Sequence, residues 1–204
     1  MQTPSNLSTR PTLVQAIAPQ TGTLNLAKQA VLVIAGILLL AVAAKIKVPM
    51  FPSPVPITLG TFAVLTIGAT YGARLGLMTI LGYMLVGALG FDIFASSSAE
   101  ANGISYMLGG TGGYLVGYVL AVAYLGWAAQ RGLDRSVETL GGALLIANVL
   151  IYVPGVLWLH QFTSGWEQTM EWGLTPYLIG DLIKLALAAL LIPAVWKLVQ
   201  RARS

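Results

Sequence analysis

Residues 175–199, TPYLIGDLIKLALAALLIPAVWKLV, decide the fold class, because they read as a membrane-spanning helix that carries two charges near its start. The run is long enough to cross a hydrocarbon core of about 30 Å at about 1.5 Å per residue. Asp181 and Lys184 stand three residues apart, so a helix points both the same way, one turn from each other. Tyr177 and Ala188 extend that stripe. A charge within a span is costly and faces a partner, the bundle interior or a water-filled cavity. Two readings follow: an ion pair that fixes helix packing, or a polar anchor for a small ligand.

The rest of the chain agrees with a membrane setting. Of its residues 56% are hydrophobic and only 9% charged, with a mean hydropathy of +0.79, against about 25% charged in soluble domains. This predicts an all-α integral membrane protein too short for two membrane domains. The formal charge of +4 does not point to nucleic acid, because the basic residues are dispersed at helix ends. Without cysteine there is no disulfide or thiolate nucleophile. The single histidine, His160, cannot make a conventional metal site alone and has no identifiable catalytic partner. No G-x-x-x-x-G-K-[ST] stretch occurs, so energy for any uphill work must come from a gradient or a partner.

Six spans are predicted. Residues 1–25 read as a flexible cytoplasmic tail, with an amphipathic patch at most around Leu13–Ile17, and residues 26–204 as one membrane domain. The first span is Leu26–Ile46; its VLVIAGILLL run followed by AVAA imitates a signal peptide, but the charge pattern requires it to be retained. KIKVPMFPSPVPIT follows, extended or turning because proline lacks an N–H and fixes φ. The apolar segment Ile57–Tyr71 covers only about 22 Å, so the proline segment is expected to dip to membrane depth beside protein or a cavity. A turn at Gly72–Arg74 leads to spans at 74–89, 108–129, 140–159 and the closing helix. Gly68, Gly72 and Gly76, and Gly109, Gly113 and Gly117, form small-residue rows that let helices approach closely. Trp166 and Trp172 suit interfacial anchors.

With six spans, eight of the 11 Lys and Arg residues fall on the side of the two termini. Lys45 and Lys47 fall on the other, and Lys184 lies within a span. The excess of positive charge places both termini in the cytoplasm. Helices two, four and six then begin at the outer face with VPIT, GGTGGY and TPY, Thr175 capping the last. Free N–H groups at helix starts suit a ligand that accepts hydrogen bonds, although Thr and Gly there also serve as ordinary caps. The expectation is an outer cavity with Asp181 and Lys184 beneath it and Tyr83, Phe94, Tyr114 and Tyr152 as walls. No nucleophile stands beside a base, and the protein is not expected to be an enzyme.

SPVPITLGTFAVLTIGATYGARLG, LVGALGFDIFA, GGTGGYLVGYVLA and GDLIKLALAALLIPA, in that order from Lys47 to Pro193, resemble the BioY family of biotin-binding substrate (S) components of energy-coupling factor (ECF) transporters. The resemblance implies a six-helix S-component fold, capture of biotin outside, a membrane T component and two ABC-type ATPases, in the cytoplasmic membrane of a bacterium. Biotin would be a transported ligand rather than a cofactor, no metal is implied, and a homo-oligomer is possible. It carries polar biotin contacts to Asp181 and Lys184 and places Thr58, Pro56, Thr111, Gly112, Gly113 and Tyr114 near the pocket. The PVPIT motif usually continues with Gln where Gly60 stands, and Ser96 or Asn102 would substitute for polar contacts in the loop after FA. The A-x-x-x-A pattern by which S components dock on the T component is absent from the first span. That contact is expected instead around Ala35 and Gly36, or Ala41–Ala44. Alternatives are an S component for another vitamin, a self-sufficient proton-coupled carrier with Asp181 as the protonated group, and an assembly protein in which the charges only pin helices.

Overall fold

A computed structural model describes residues 10–17, 25–49, 51, 53, 55–98 and 101–202. The elements are α1 (Leu13–Ile17), α2 (Asn25–Lys45), a two-stranded ribbon of β1 (Lys47–Val48) and β2 (Ile57–Thr58), α3 (Gly60–Ala88), α4 (Gly103–Met107), α5 (Gly112–Gln130), α6 (Val137–Leu159), α7 (Trp166–Gly173) and α8 (Leu178–Arg201). Among the described residues, five helical stretches are long and apolar enough to cross a membrane: 25–45, 60–88, 112–130, 137–162 and 166–201. The fold is helical and multi-pass.

The second stretch is not one straight rod. Gly72 breaks α3 with φ 80° and ψ 171°, a left-handed conformation that glycine adopts without a Cβ clash. A Cβ on Gly76 would lie 3.9 Å from the Ile67 carbonyl oxygen, although nine residues of straight helix would part them by about 13 Å. The two halves of α3 therefore fold back on each other at Gly72, within the turn expected at Gly72–Arg74.

Gly68 and Gly76 of one glycine row, and Gly113 and Gly117 of the other, serve packing. α5 lies against α3 on one side and α6 on the other. A Cβ on Gly68 or Gly76 would press on Val122 of α5, and one on Gly113 or Gly117 would strike the α6 backbone at Pro154 and Ile151. Such close backbone approach is how apolar helices gain dispersion contacts in lipid, where burial from water offers no drive. Pro154 and Pro193 lie inside α6 and α8 without ending either helix.

Three local expectations change. Residues 10–17 were expected in a mobile tail, but Thr12, Leu13 and Ala16 are buried. Arg10 N–H donates to the Gln130 carbonyl at 2.9 Å, and Arg135 Nη2 donates to the Pro11 carbonyl at 3.0 Å. The bend at Gly72 leaves a notch that the Thr12 side chain occupies; residues 1–9 and 18–24 of that expected tail lie outside the described residues. Thr175 does not cap α8 but opens a 3-10 turn, Thr175–Tyr177, with no side-chain cap bond. On α2, Gly36 packs on Tyr71 and Thr79 of the same chain, and Ala43 and Ala44 are also buried. Of the small residues expected to face a partner there, Ala35 is left exposed.

Candidate functional site

One pocket of about 750 Å³, its open mouth included, lies where α3, α5 and α8 start and α2 ends. Its polar corner is built on Asp181, whose residue is 6% exposed. Lys184 Nζ donates to Asp181 Oδ1 at 2.7 Å, and Thr61 Oγ1 donates to the same oxygen at 3.1 Å. Lys184 Nζ also reaches Thr61 Oγ1 at 3.1 Å, while Tyr152 donates to Asp181 Oδ2 at 2.6 Å. A buried carboxylate persists only when its lone pairs are filled this way. The ammonium has three hydrogens, and two are engaged. With Oδ1 taken by Lys184 and Thr61 and one site on Oδ2 by Tyr152, the corner can accept one further N–H at Asp181 Oδ2 and donate from Lys184 to a carbonyl or carboxylate.

Aromatic side chains make the walls. Phe94 is fully buried, stacked on Tyr106 at 4.9 Å and edge-on to Tyr83 at 5.3 Å. Tyr114 meets Tyr152 edge-on at 6.3 Å and donates to the Gly173 carbonyl at 2.7 Å. Tyr177 holds the cover. Its hydroxyl donates to the Val55 carbonyl, and Ser53 Oγ donates to the Trp172 carbonyl at 2.7 Å, tying the proline segment to α7. Thr111 at the start of α5 lines the pocket and makes no side-chain cap bond, its side chain meeting the Tyr106 hydroxyl instead. Thr58 Oγ1 does accept from Gly60 N–H at 3.0 Å, a local turn bond.

Of the residues singled out from sequence, Asp181, Lys184, Tyr177, Thr58, Phe94, Tyr114 and Tyr152 come together in the lining, with Pro56 and Thr111. Gly112 and Gly113 do not line it. They are close-approach points against Met107, Trp158 and Pro154, where any Cβ would collide. Ser96 lies in the wall loop with its N–H on the Tyr106 hydroxyl, and Asn102 precedes α4; neither lines the pocket. Thr61, Tyr106 and Tyr118 were missed. A signal was present for Tyr118, four residues after Tyr114 on one helix face, whereas Thr61 follows a Thr58 that belongs to β2 and shares no helix face with it. Gly60 lines the pocket, and a Cβ there would stand 3.0 Å from Thr58 Oγ1 and 3.6 Å from the Tyr118 hydroxyl. His160 is not isolated: its ring stacks on Trp166 at 3.9 Å and Nδ1 lies 2.9 Å from Thr169 Oγ1.

This geometry can be set beside known proteins. The sequence model of the BioY family matches residues 12–201. The chain belongs to the BioY family. A BioY relative, the "Probable biotin transporter BioY" of Pyrococcus horikoshii, is 36% identical over 165 residues, covering 81% of this chain and 94% of that protein. The "Biotin transporter BioY" of Thermotoga maritima is 32% identical over 160 residues, covering 78% and 90%. In fold, the chain is similar to the crystal structure of the S-component for biotin from an ECF-type ABC transporter. That likeness has a TM-score of 0.74 at 18% identity, over 87% of this chain and 95% of the other. The BioY match begins at Thr12, so it takes in most of the docked α1 segment.

Proposed function

We propose that this protein is the biotin-binding S component of an ECF-type uptake system in the cytoplasmic membrane of a bacterium. It captures biotin from outside and releases it inside, driven by a T component and two ABC-type ATPases. The observation that carries the reading is the tyrosine-walled pocket, with the Asp181–Lys184–Thr61–Tyr152 corner, in a BioY chain. A small, largely apolar ligand with a compact hydrogen-bonding head suits it. Asp181 accepts a ureido N–H of biotin, and Lys184, 2.7 Å from it, donates to the ureido oxygen. Their contact at one corner supports both acting at one pole of the ligand. Thr58, Phe94, Tyr114 and Tyr177 surround the remainder.

A count of six spans with both termini inside is supported by the fold-back at Gly72, which makes two spans of α3, and by the bias of Lys and Arg toward the terminal side. The pocket then faces outward. The test is equilibrium binding of labelled biotin to the purified protein alone, with competition by unlabelled biotin and other vitamins. Selective, tight binding without any ATPase is expected. No binding by folded protein overturns the reading, and displacement by another vitamin in preference to biotin reassigns the ligand. Uptake that collapses with the proton gradient, and proceeds without ATPases, would instead favour the proton-coupled carrier.

A further inference from the structure

The loop 91–98 forms one wall of the pocket through Phe94 and Ala95, yet it contains neither helix nor strand. Its few backbone bonds, such as Ile93 N–H to the Phe91 carbonyl at 2.8 Å, do not define a path across the pocket. Side chains from distant elements hold it instead. Lys45, the last residue of α2, places Nζ 2.6 Å from Asp92 Oδ1 and 3.3 Å from Ser97 Oγ. Ser97 Oγ in turn lies 2.5 Å from Asp92 Oδ1 and 2.9 Å from the Phe94 carbonyl oxygen. Lys47 Nζ donates to the Ala95 carbonyl at 2.6 Å. Tyr83 donates to the Ile93 carbonyl at 3.0 Å. The lysine that ends α2 and the one that opens β1 are thus both spent on one short loop, and both grip it beside its two lining residues.

We propose that Lys45 and Asp92 are positioning residues for the ligand: with Ser97, their ion pair fixes the 91–98 wall against the end of α2 and slows ligand release. This rests on the biotin-binding reading above. The pair joins two lining elements, because Leu40 and Ala44 of α2 face the same pocket as Phe94 and Ala95. The geometry between its anchors leaves little slack, since the Phe94 ring fills the notch at Gly87 and a Cβ there would stand 2.1 Å from Phe94 Cζ. Asp92 is exposed, and Lys45 is about one-third exposed, at 59% and 34% of their side-chain surfaces. Solvent screening therefore limits the pair to a few-fold effect and makes it sensitive to salt. The Lys45 hydrogen bond holds the Asp92 carboxyl below its ordinary range, so the pair is intact at neutral pH. A wall that loosens changes the rate of departure more than the rate of encounter.

The experiment is dissociation of labelled biotin from the full-length protein in detergent. It compares wild type with Asp92→Asn, Lys45→Met and the reversed pair Lys45→Asp with Asp92→Lys. Each single variant is expected to release biotin roughly three- to fivefold faster with little change in association, and the reversed pair to recover toward wild type. Wild-type release should quicken with salt, whereas that of Asp92→Asn should not. Wild-type release from Asp92→Asn at low salt overturns the proposal, as does a reversed pair no slower than the singles. Amide hydrogen exchange of residues 91–98 without ligand separates this from the functional reading. Exchange should rise about three- to fivefold in Asp92→Asn whether or not biotin is the ligand, and unchanged exchange overturns the anchoring itself.

Discussion

The molecule holds two buried aspartates, at opposite ends of its bundle, and they are put to different uses. Asp181 lines a pocket and is held by a lysine, a threonine and a tyrosine from three helices. Asp134, 1% exposed in the α5–α6 connection, accepts from Trp196 Nε1 at 2.6 Å and lies 3.5 Å from Arg135 Nε. The Arg135 guanidinium covers the Trp196 ring at 3.5 Å and bonds the docked N-terminal segment. The indole has a single hydrogen and it is used, whereas the Lys184 ammonium keeps one in reserve beside open volume. Burial of a carboxylate does not by itself mark a binding site. Spare donor capacity facing a cavity does.

The comparison can be broken most forcefully at Lys184. Lys184→Ala leaves Asp181 buried with only neutral donors and should cost roughly 3 to 5 kcal/mol of stability, read by thermal unfolding in detergent, together with loss of biotin binding. Asp181→Asn keeps the shape, so folded protein should be recovered with biotin affinity at least about 100-fold lower. If monodisperse Asp181→Asn binds normally, the corner is structural and the two aspartates are alike. Trp196→Phe removes the donor to Asp134 and should cost about 1 to 3 kcal/mol of stability. Biotin affinity of the folded variant should stay within about twofold; a loss as large as that of Asp181→Asn would erase the contrast. Thr61→Val should weaken biotin about fivefold, because one hydroxyl shared by Asp181 and Lys184 is worth about 1 kcal/mol.

The smallest effect concerns pH. Burial raises the Asp134 carboxyl above its ordinary value of 3.8. A carboxyl raised on folding contributes stability that is full below its unfolded value and lost as pH rises through the folded one. Wild type should therefore lose stability relative to Asp134→Asn as pH climbs from that value, while biotin affinity stays level. A parallel pH profile for the two proteins would show that Asp134 is not held this way.

Much of the fold was legible because hydropathy and glycine spacing are local properties. A turn was expected at Gly72–Arg74, and Gly72 breaks α3 there. The stripe of Tyr177, Asp181 and Lys184 was readable because helical periodicity alone puts residues four and three apart on one face. Thr58, Gly112, Gly113 and Tyr114 were marked by the motifs of the family resemblance, and a motif does not distinguish lining from packing: Thr58 and Tyr114 line the pocket, while Gly112 and Gly113 pack beside it. The docking of residues 10–17 was illegible, since five residues of weak amphipathic pattern carry no sign of the notch that receives them.

The sequence by itself determined that this chain crosses a membrane and that Asp181 and Lys184 share a helix face. It also determined that glycine rows would bring helices close. Only the tertiary structure decided which donors complete Asp181. Tyr152 is 29 residues away and Thr61 is 120. It decided too that the 91–98 loop becomes a pocket wall through lysines more than 45 residues upstream. The reason is physical. Backbone geometry fixes neighbours within a turn or two, whereas distant partners meet only after whole helices have chosen one another by summed close contacts along their lengths.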